Sequence, residues 1–138
     1  MTLVDTSAWV EFLRDTGSAV CNRVDALLET DFATCHPVRM EVLAGARDEQ
    51  HLAELRGLLA LGSLLPTEAT DYEDAAALYR ACRRGGETVR KLINCLIAVA
   101  AIRASVPVLH CDADFDVLAR HAALEVEPPQ PSRPADSQ

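Results

Sequence analysis

The stretch Arg90-Lys-Leu-Ile-Asn-Cys-Leu-Ile-Ala-Val-Ala-Ala-Ile-Arg-Ala-Ser105, continued by Val106-Pro-Val-Leu-His110 and Cys111-Asp-Ala-Asp-Phe-Asp116, decides the fold. Its first part reads as a helix that is apolar on most of its surface, and such a helix belongs in an interior. The second part is a short apolar strand, of the kind that sits in the middle of a parallel sheet. Carboxylates begin where that strand ends. In open α/β sheets, sites lie outside the carboxyl ends of strands, so chemistry is expected at this junction. Asn94 interrupts the apolar helix and complicates it.

Outward from this stretch, the chain alternates short strands and helices. Thr2-Leu-Val4 reads as a strand ended by Asp5, with Thr6 or Ser7 as cap of a helix from Ala8 to about Arg14. Trp9, Val10 and Leu13 fall on one face of it. A helix to about Glu29 follows, with Val20, Val24, Leu27 and Leu28 inward. Asp31-Phe-Ala-Thr-Cys35 is a second strand, and Pro37 opens a helix at a first-turn position, where its missing N–H costs nothing. That helix carries Glu41. A helix from Glu49 to about Ala60 leads to a weaker strand, Gly62-Ser-Leu-Leu65. Thr67 to Thr70 offers caps for a helix to Arg84, with Ala75, Ala76, Leu78, Tyr79 and Cys82 spaced for burial. Thr88 is the expected cap of the long helix. Phe115 to Ala119 reads as a short helix and Leu124-Glu-Val126 as an edge strand. Helical crossovers imply parallel pairing, so the class is α/β. Residues 1–127 form one domain, and 128–138 make a Pro-rich tail, expected to be mobile or extended.

Composition agrees with one globular domain of 138 residues: 49% hydrophobic and only 4% aromatic, hence an aliphatic core. The net charge of -8 argues against broad, non-specific nucleic-acid binding, though not against a local basic patch. The five cysteines have no Cys-x-x-Cys pair and read as reduced hydrophobes of a cytoplasmic protein. The start lacks signal-peptide character, and the longest apolar run is too short to span a bilayer.

Asp5 and Asp112 each follow a strand and so share an edge of a parallel sheet. Glu41 and Asn94 lie about 4–6 residues into their helices, within about 9 Å of the helix starts. Asp114 is two residues beyond Asp112. Taken singly, Asp5 and Asp112 are as readily helix caps, Asp114 a cap of the last helix, and Glu41 a solvated helix residue. Asp116 is a favourable first-turn charge outside the site. Together the carboxylates repel one another, and a hard divalent cation, Mg2+ or Mn2+, removes that repulsion. Such a cation polarises a phosphoryl oxygen and acidifies a water, which suits phosphodiester hydrolysis. Arg83, Arg84, Arg90 and Lys91 cluster around a Gly-Gly break and are candidate phosphate contacts, or ordinary solvated charges. His36 and His110 read as structural.

Leu3-Val-Asp-Thr-Ser7, Glu41 in a helix ending Leu43-Ala-Gly45, the helix around Cys95-Leu-Ile-Ala98, and Val108-Leu-His-Cys-Asp-Ala-Asp-Phe115 together resemble the PIN-domain ribonucleases, most of all the VapC-type toxins of toxin–antitoxin pairs. The resemblance runs to about Val126. It implies a three-layer fold with a parallel sheet of about five strands between helices, Mg2+ or Mn2+ dependence, and endonucleolytic cleavage of RNA such as tRNA or rRNA. It also implies a homodimer and a cognate antitoxin. The antitoxin would be seated in apolar grooves between the first helices and the helix starting at Pro37, with an Arg inserted among the carboxylates. By position, Asp5, Glu41, Asp112 and Asp114 would form the metal site, supported by Thr6 or Ser7. The departure is Asn94, where the family pattern has an Asp immediately before Cys-Leu-Ile-Ala. An Asn there keeps the shape and removes a charge, so activity should be weakened or silenced, by an introduced or a natural change. The rival class is a non-catalytic PIN-like module that binds a partner protein or RNA. A phosphatase with Asp5 as nucleophile fares poorly, since Thr6-Ser7 supplies no second Asp and Lys91 is the only lysine.

Overall fold

A computed structural model of the chain describes residues 1–127; the Pro-rich segment lies outside the described residues. In chain order the elements are β1 (Leu3–Val4), α1 (Thr6–Leu13), α2 (Ala19–Leu28), β2 (Ala33–Cys35), α3 (His36–Ala44), α4 (Glu49–Leu59), β3 (Ser63–Leu65), α5 (Ala69–Arg84), α6 (Leu92–Ala104), β4 (Val108–Leu109), α7 (Ala113–His121) and β5 (Val126–Glu127). The five strands form one sheet in the order β3-β2-β1-β4-β5, and every pairing is parallel. Leu3 lies between Ala33 of β2 and Val108 of β4. Successive strand residues face opposite sides, and Leu3, Val4, Val108 and Leu109 are all at most 2% exposed. Both faces of the central strands are therefore covered by helices, as an all-parallel sheet requires. From β1 the chain runs outward to β2 and β3, then returns to the other side for β4 and β5. The gap between the ends of β1 and β4 is the switch point of the sheet.

α6 is the buried helix that its apolar surface predicts: Cys95, Ile97, Ala98 and Ala101 are fully buried. It ends at Ser105, whose φ of 57° lets the chain turn into β4. It starts at Leu92, two residues later than read from the sequence, and its N-cap is Lys91, not Thr88. Two other helices are capped by carboxylates. Asp5 caps α1 in place of Thr6 or Ser7, and Glu68 caps α5 with Asp71 closing a capping box.

In α1 the buried pair is Ala8 and Trp9, while Val10 is half-buried and Leu13 is 41% exposed. Trp9 packs edge-on to Phe32 and Phe12, with ring centroids 5.5 and 6.1 Å apart. Those aromatics draw the helix face toward Phe12, and Leu13, in the last turn, is left outside. Ala76, read as buried, is exposed on α5. Gly62 has a steric reason: a Cβ there would stand 2.3 Å from the Phe32 ring.

Candidate acidic site at the sheet switch point

Asp5 leaves β1 in an extended conformation and immediately caps α1. Its Oδ2 accepts from Ser7 N at 3.0 Å and from Ser7 Oγ at 2.6 Å. Ser7 Oγ also accepts from Cys111 N at 2.8 Å, so one hydroxyl ties the end of β1 to the end of β4. The other oxygen of Asp5, Oδ1, is buried without a hydrogen-bond partner. Burial pushes the Asp5 carboxyl up to about 6, against the lowering effect of the Ser7 and Thr6 hydrogen bonds, with a further push from Glu41. Thr6 Oγ1 donates to Glu41 Oε1 at 2.8 Å. The helix start that positions Asp5 thus also holds Glu41, on the second turn of α3.

The second half of the site is built on β4, α6 and α7. Asp112 caps α7 through Oδ1, which accepts from Asp114 N at 2.9 Å. His110 Nδ1 accepts from Asp112 N at 3.2 Å, which requires the neutral imidazole with its proton on Nε2. Burial holds the His110 pKa below its ordinary value, in opposition to the Asp116 and Asp112 charges. Asp114 is 2% exposed. Its two oxygens accept from Arg90 N at 2.8 Å and Lys91 N at 2.9 Å. Asp114 is therefore the remote cap of α6, whose own N-cap side chain makes no such bond. Asn94, in the first turn of α6 and 3% exposed, donates through Nδ2 to Asp112 Oδ2 at 3.1 Å and Asp114 Oδ2 at 3.0 Å.

The structure thus gathers the five residues into two linked pairs. Asp5 and Glu41 are joined through Thr6 and Ser7, and Asp112 and Asp114 through Asn94. For Asp5 and Asp112 the cap and the site are the same residue. Asp114 is not the cap of α7; it caps α6. Two supporting contacts had only weak sequence signals: the His110–Asp112 bond, in a His-x-Asp spacing, and the Asp114 bonds, which join residues 23 and 24 apart. Arg83, Arg84, Arg90 and Lys91 are all exposed, the first two in the last turn of α5 and the others at the start of α6.

The Asp5 half suits a hard cation: an unpartnered, buried carboxylate oxygen with a second carboxylate beside it lacks only positive charge. The other half does not suit one as it stands, because the Asn94 amide already bridges its two carboxylates. Among the described residues, no group of three or more His, Cys, Asp or Glu side chains is placed to hold a metal ion.

An open parallel sheet with acidic residues at its switch point defines a class of α/β domain, and comparison with known proteins places the chain within that class. The PIN domain family model matches residues 2–121. Ribonuclease VapC11 of Mycobacterium tuberculosis is 47% identical over 129 residues, spanning 91% of this chain and 96% of that protein. In three dimensions, the chain resembles the crystal structure of VapBC2 from Rickettsia felis bound to a promoter DNA fragment, with a TM-score of 0.73, 18% identity, and 91% and 96% of the two chains covered. It also resembles FitAcB from Neisseria gonorrhoeae, with a TM-score of 0.70, 22% identity, and 91% and 96% covered. The chain belongs to the PIN-domain family, in its VapC group.

An apolar groove of about 650 Å3 borders the site, between α3, α5 and α6, with His36, Pro37 and Leu96 in its lining. Met40, Tyr72 and Leu92 line it and are each about 60% exposed. The partner groove expected from the sequence involves the same α3 helix but other neighbours, α1 and α2. No helix among the described residues is long and apolar enough to cross a membrane.

Proposed function

We propose that the chain is the toxin of a toxin–antitoxin pair, a Mg2+- or Mn2+-dependent endoribonuclease whose activity Asn94 weakens. The observation that carries this is the joining of Asp5 to Glu41 through the start of α1, with Ser7 tying that end of β1 to Cys111, the residue before Asp112, at the switch point of the sheet. The name of the 47% identical relative, Ribonuclease VapC11, supports RNA as the substrate. Ser7 fixes the rotamer of Asp5, Thr6 fixes Glu41, and His110 fixes the backbone of Asp112. Asp5 and Glu41 would hold the cation, with Asp112. When bound, the cation supplies Lewis-acid polarisation of the phosphodiester and acidifies a water. Arg90 and Lys91, at the start of α6, would contact the RNA backbone, with Arg83 and Arg84 beyond them. The protein partner is an antitoxin, in keeping with neighbours that include a toxin–antitoxin complex from Klebsiella pneumoniae. The working form is a cytoplasmic homodimer. Residues 1–127 carry the activity and 128–138 are a tail.

One observation favours the second reading, a PIN module that binds without cutting: the Asn94 amide bridges Asp112 and Asp114 by donating to both. The test is cleavage of tRNA, rRNA and total RNA by the chain and by Asn94→Asp, each with Mg2+, Mn2+ or EDTA. The nuclease predicts metal-dependent cutting by Asn94→Asp and at least 10-fold slower cutting by the chain as it stands. If neither cuts any RNA and neither binds Mn2+, the non-catalytic module is the correct assignment.

A further inference from the structure

We infer that the Asn94 carboxamide takes the place of a cation in half of the acidic site, locking Asp112 and Asp114 in a closed form that is stable without metal and competes with metal entry. It rests on the metal-site assignment above, and deepens it.

Asp112 Oδ2 and Asp114 Oδ2 both accept from one nitrogen, Asn94 Nδ2. The amide orientation follows from chemistry, since the reverse would set a carbonyl oxygen against two carboxylates. Two acceptors bound to the two hydrogens of a planar amide stand about 5 Å apart. Two oxygens sharing a Mg2+ at about 2.1 Å in octahedral geometry stand about 3 Å apart. A cation taken up between these same two oxygens in adjacent positions would have to displace at least one Asn94 bond. The lock has a second consequence. Asp114 also accepts from Arg90 N and Lys91 N, so the amide helps hold the carboxylate that caps α6. With a carboxylate at position 94, three negative side chains would meet in a part-buried space with no donor between them. They would repel each other and loosen the start of α6 unless a cation arrived.

The experiment compares melting temperatures of the chain, Asn94→Asp and Asn94→Ala, each in EDTA and in excess Mn2+, with Mn2+ affinity read by calorimetry. The chain as it stands is expected to gain less from Mn2+ than Asn94→Asp does, a rise of at most about 2–3 °C from binding at Asp5 and Glu41. Asn94→Asp is expected to melt about 5–10 °C lower in EDTA and to recover most of that in Mn2+, with an affinity for Mn2+ at least 10-fold tighter than the chain's. Asn94→Ala loses the lock without adding charge. It should melt lower in EDTA than the chain and bind Mn2+ more tightly than the chain does. If Asn94→Asp fails to fold in EDTA, the Asn94→Ala comparison decides alone. Equal melting of all three in EDTA overturns the inference, as does weaker Mn2+ binding by Asn94→Ala than by the chain. Cleavage separates this result from the nuclease assignment. An Asn94→Asp form that cuts RNA yet melts like the chain in EDTA refutes the lock alone. One that gains Mn2+ binding and stability but never cuts refutes the nuclease alone.

Discussion

Replacing Asp5 with Asn should make the protein more stable, and only above a defined pH. Asp5 is 2% exposed, and one of its oxygens has no partner. Burial raises its pKa from 3.8 to about 6. At about 1.4 kcal/mol per pKa unit, the ionised carboxylate withholds about 3 kcal/mol of stability at neutral pH. Between about pH 4 and pH 6 the folded chain keeps a proton on Asp5 that the unfolded chain has released. Stability therefore falls as pH rises through this window, and is level with respect to Asp5 above it. Asn keeps an acceptor for the two Ser7 bonds but places an N–H2 where the orphaned oxygen stood, which cancels part of the gain. The net expectation is about 1–3 kcal/mol at pH 7.5, or about 3–10 °C in melting temperature. The assay is thermal or urea unfolding of the chain and Asp5→Asn in EDTA, at pH 4 and pH 7.5. The gain should be present at pH 7.5 and nearly gone at pH 4, where Asp5 is protonated in the folded chain. Equal stability at pH 7.5, or the same gain at both pH values, would refute burial of an ionised Asp5 as the origin of the effect.

Three further outcomes are expected. Thr6→Val removes the 2.8 Å bond to Glu41; in the Asn94→Asp background it should lower RNA cleavage about 10-fold and change stability by less than about 1 kcal/mol, since the pair is only part-buried. Arg90→Ala with Lys91→Ala should weaken RNA binding and reduce the dependence of log affinity on log salt by about 1–2, read by binding titrations at several salt concentrations, with melting unchanged because Asp114 bonds the backbone N–H groups and not these side chains. Gly62→Ala drives a methyl into the Phe32 ring and should cost about 1–3 kcal/mol in urea unfolding.

The sheet and its crossovers were legible because burial writes them into the sequence. Val108-Leu109 is apolar on both faces, α6 is apolar all round, and each strand ends at a turn signal. The placement of Asp5, Glu41, Asp112 and Asp114 near one edge followed from that geometry alone. What could not be read was which donor each carboxylate holds. Asp114 is bonded by the backbone of residues 90 and 91, and a cap supplied from another element leaves no local pattern. The start of α6 was misplaced for the same reason: Thr88 is a good local cap, but α6 starts at Leu92, after the backbone of Arg90 and Lys91 that Asp114 holds. Ala76 was misassigned because helical spacing gives a face without its width, and the same limit leaves Leu13 exposed at the end of its face. The aromatics Phe12 and Phe32 turn α1 toward Trp9, and Ala76 lies where α5 borders the open groove.

The two halves of the site stand in opposite electrostatic conditions, and Asn94 contributes to the difference. Asp5 and Glu41 keep their mutual repulsion and an orphaned oxygen, so this half is destabilised without positive charge. Asp112 and Asp114 have their donors in place, so this half is already satisfied. A cation binding to the chain should therefore gain its energy at Asp5 and Glu41 and lose some at Asp112 and Asp114. The substitutions that follow from this oppose each other: Asp5→Asn relieves the first half, and Asn94→Asp loads the second. Because Ser7 joins the two strand ends by bonding both Asp5 and Cys111 N, the halves are coupled mechanically. In the double variant the two effects on stability in EDTA should fail to add. The carboxylate added at position 94 should cost less once the charge on Asp5 is gone.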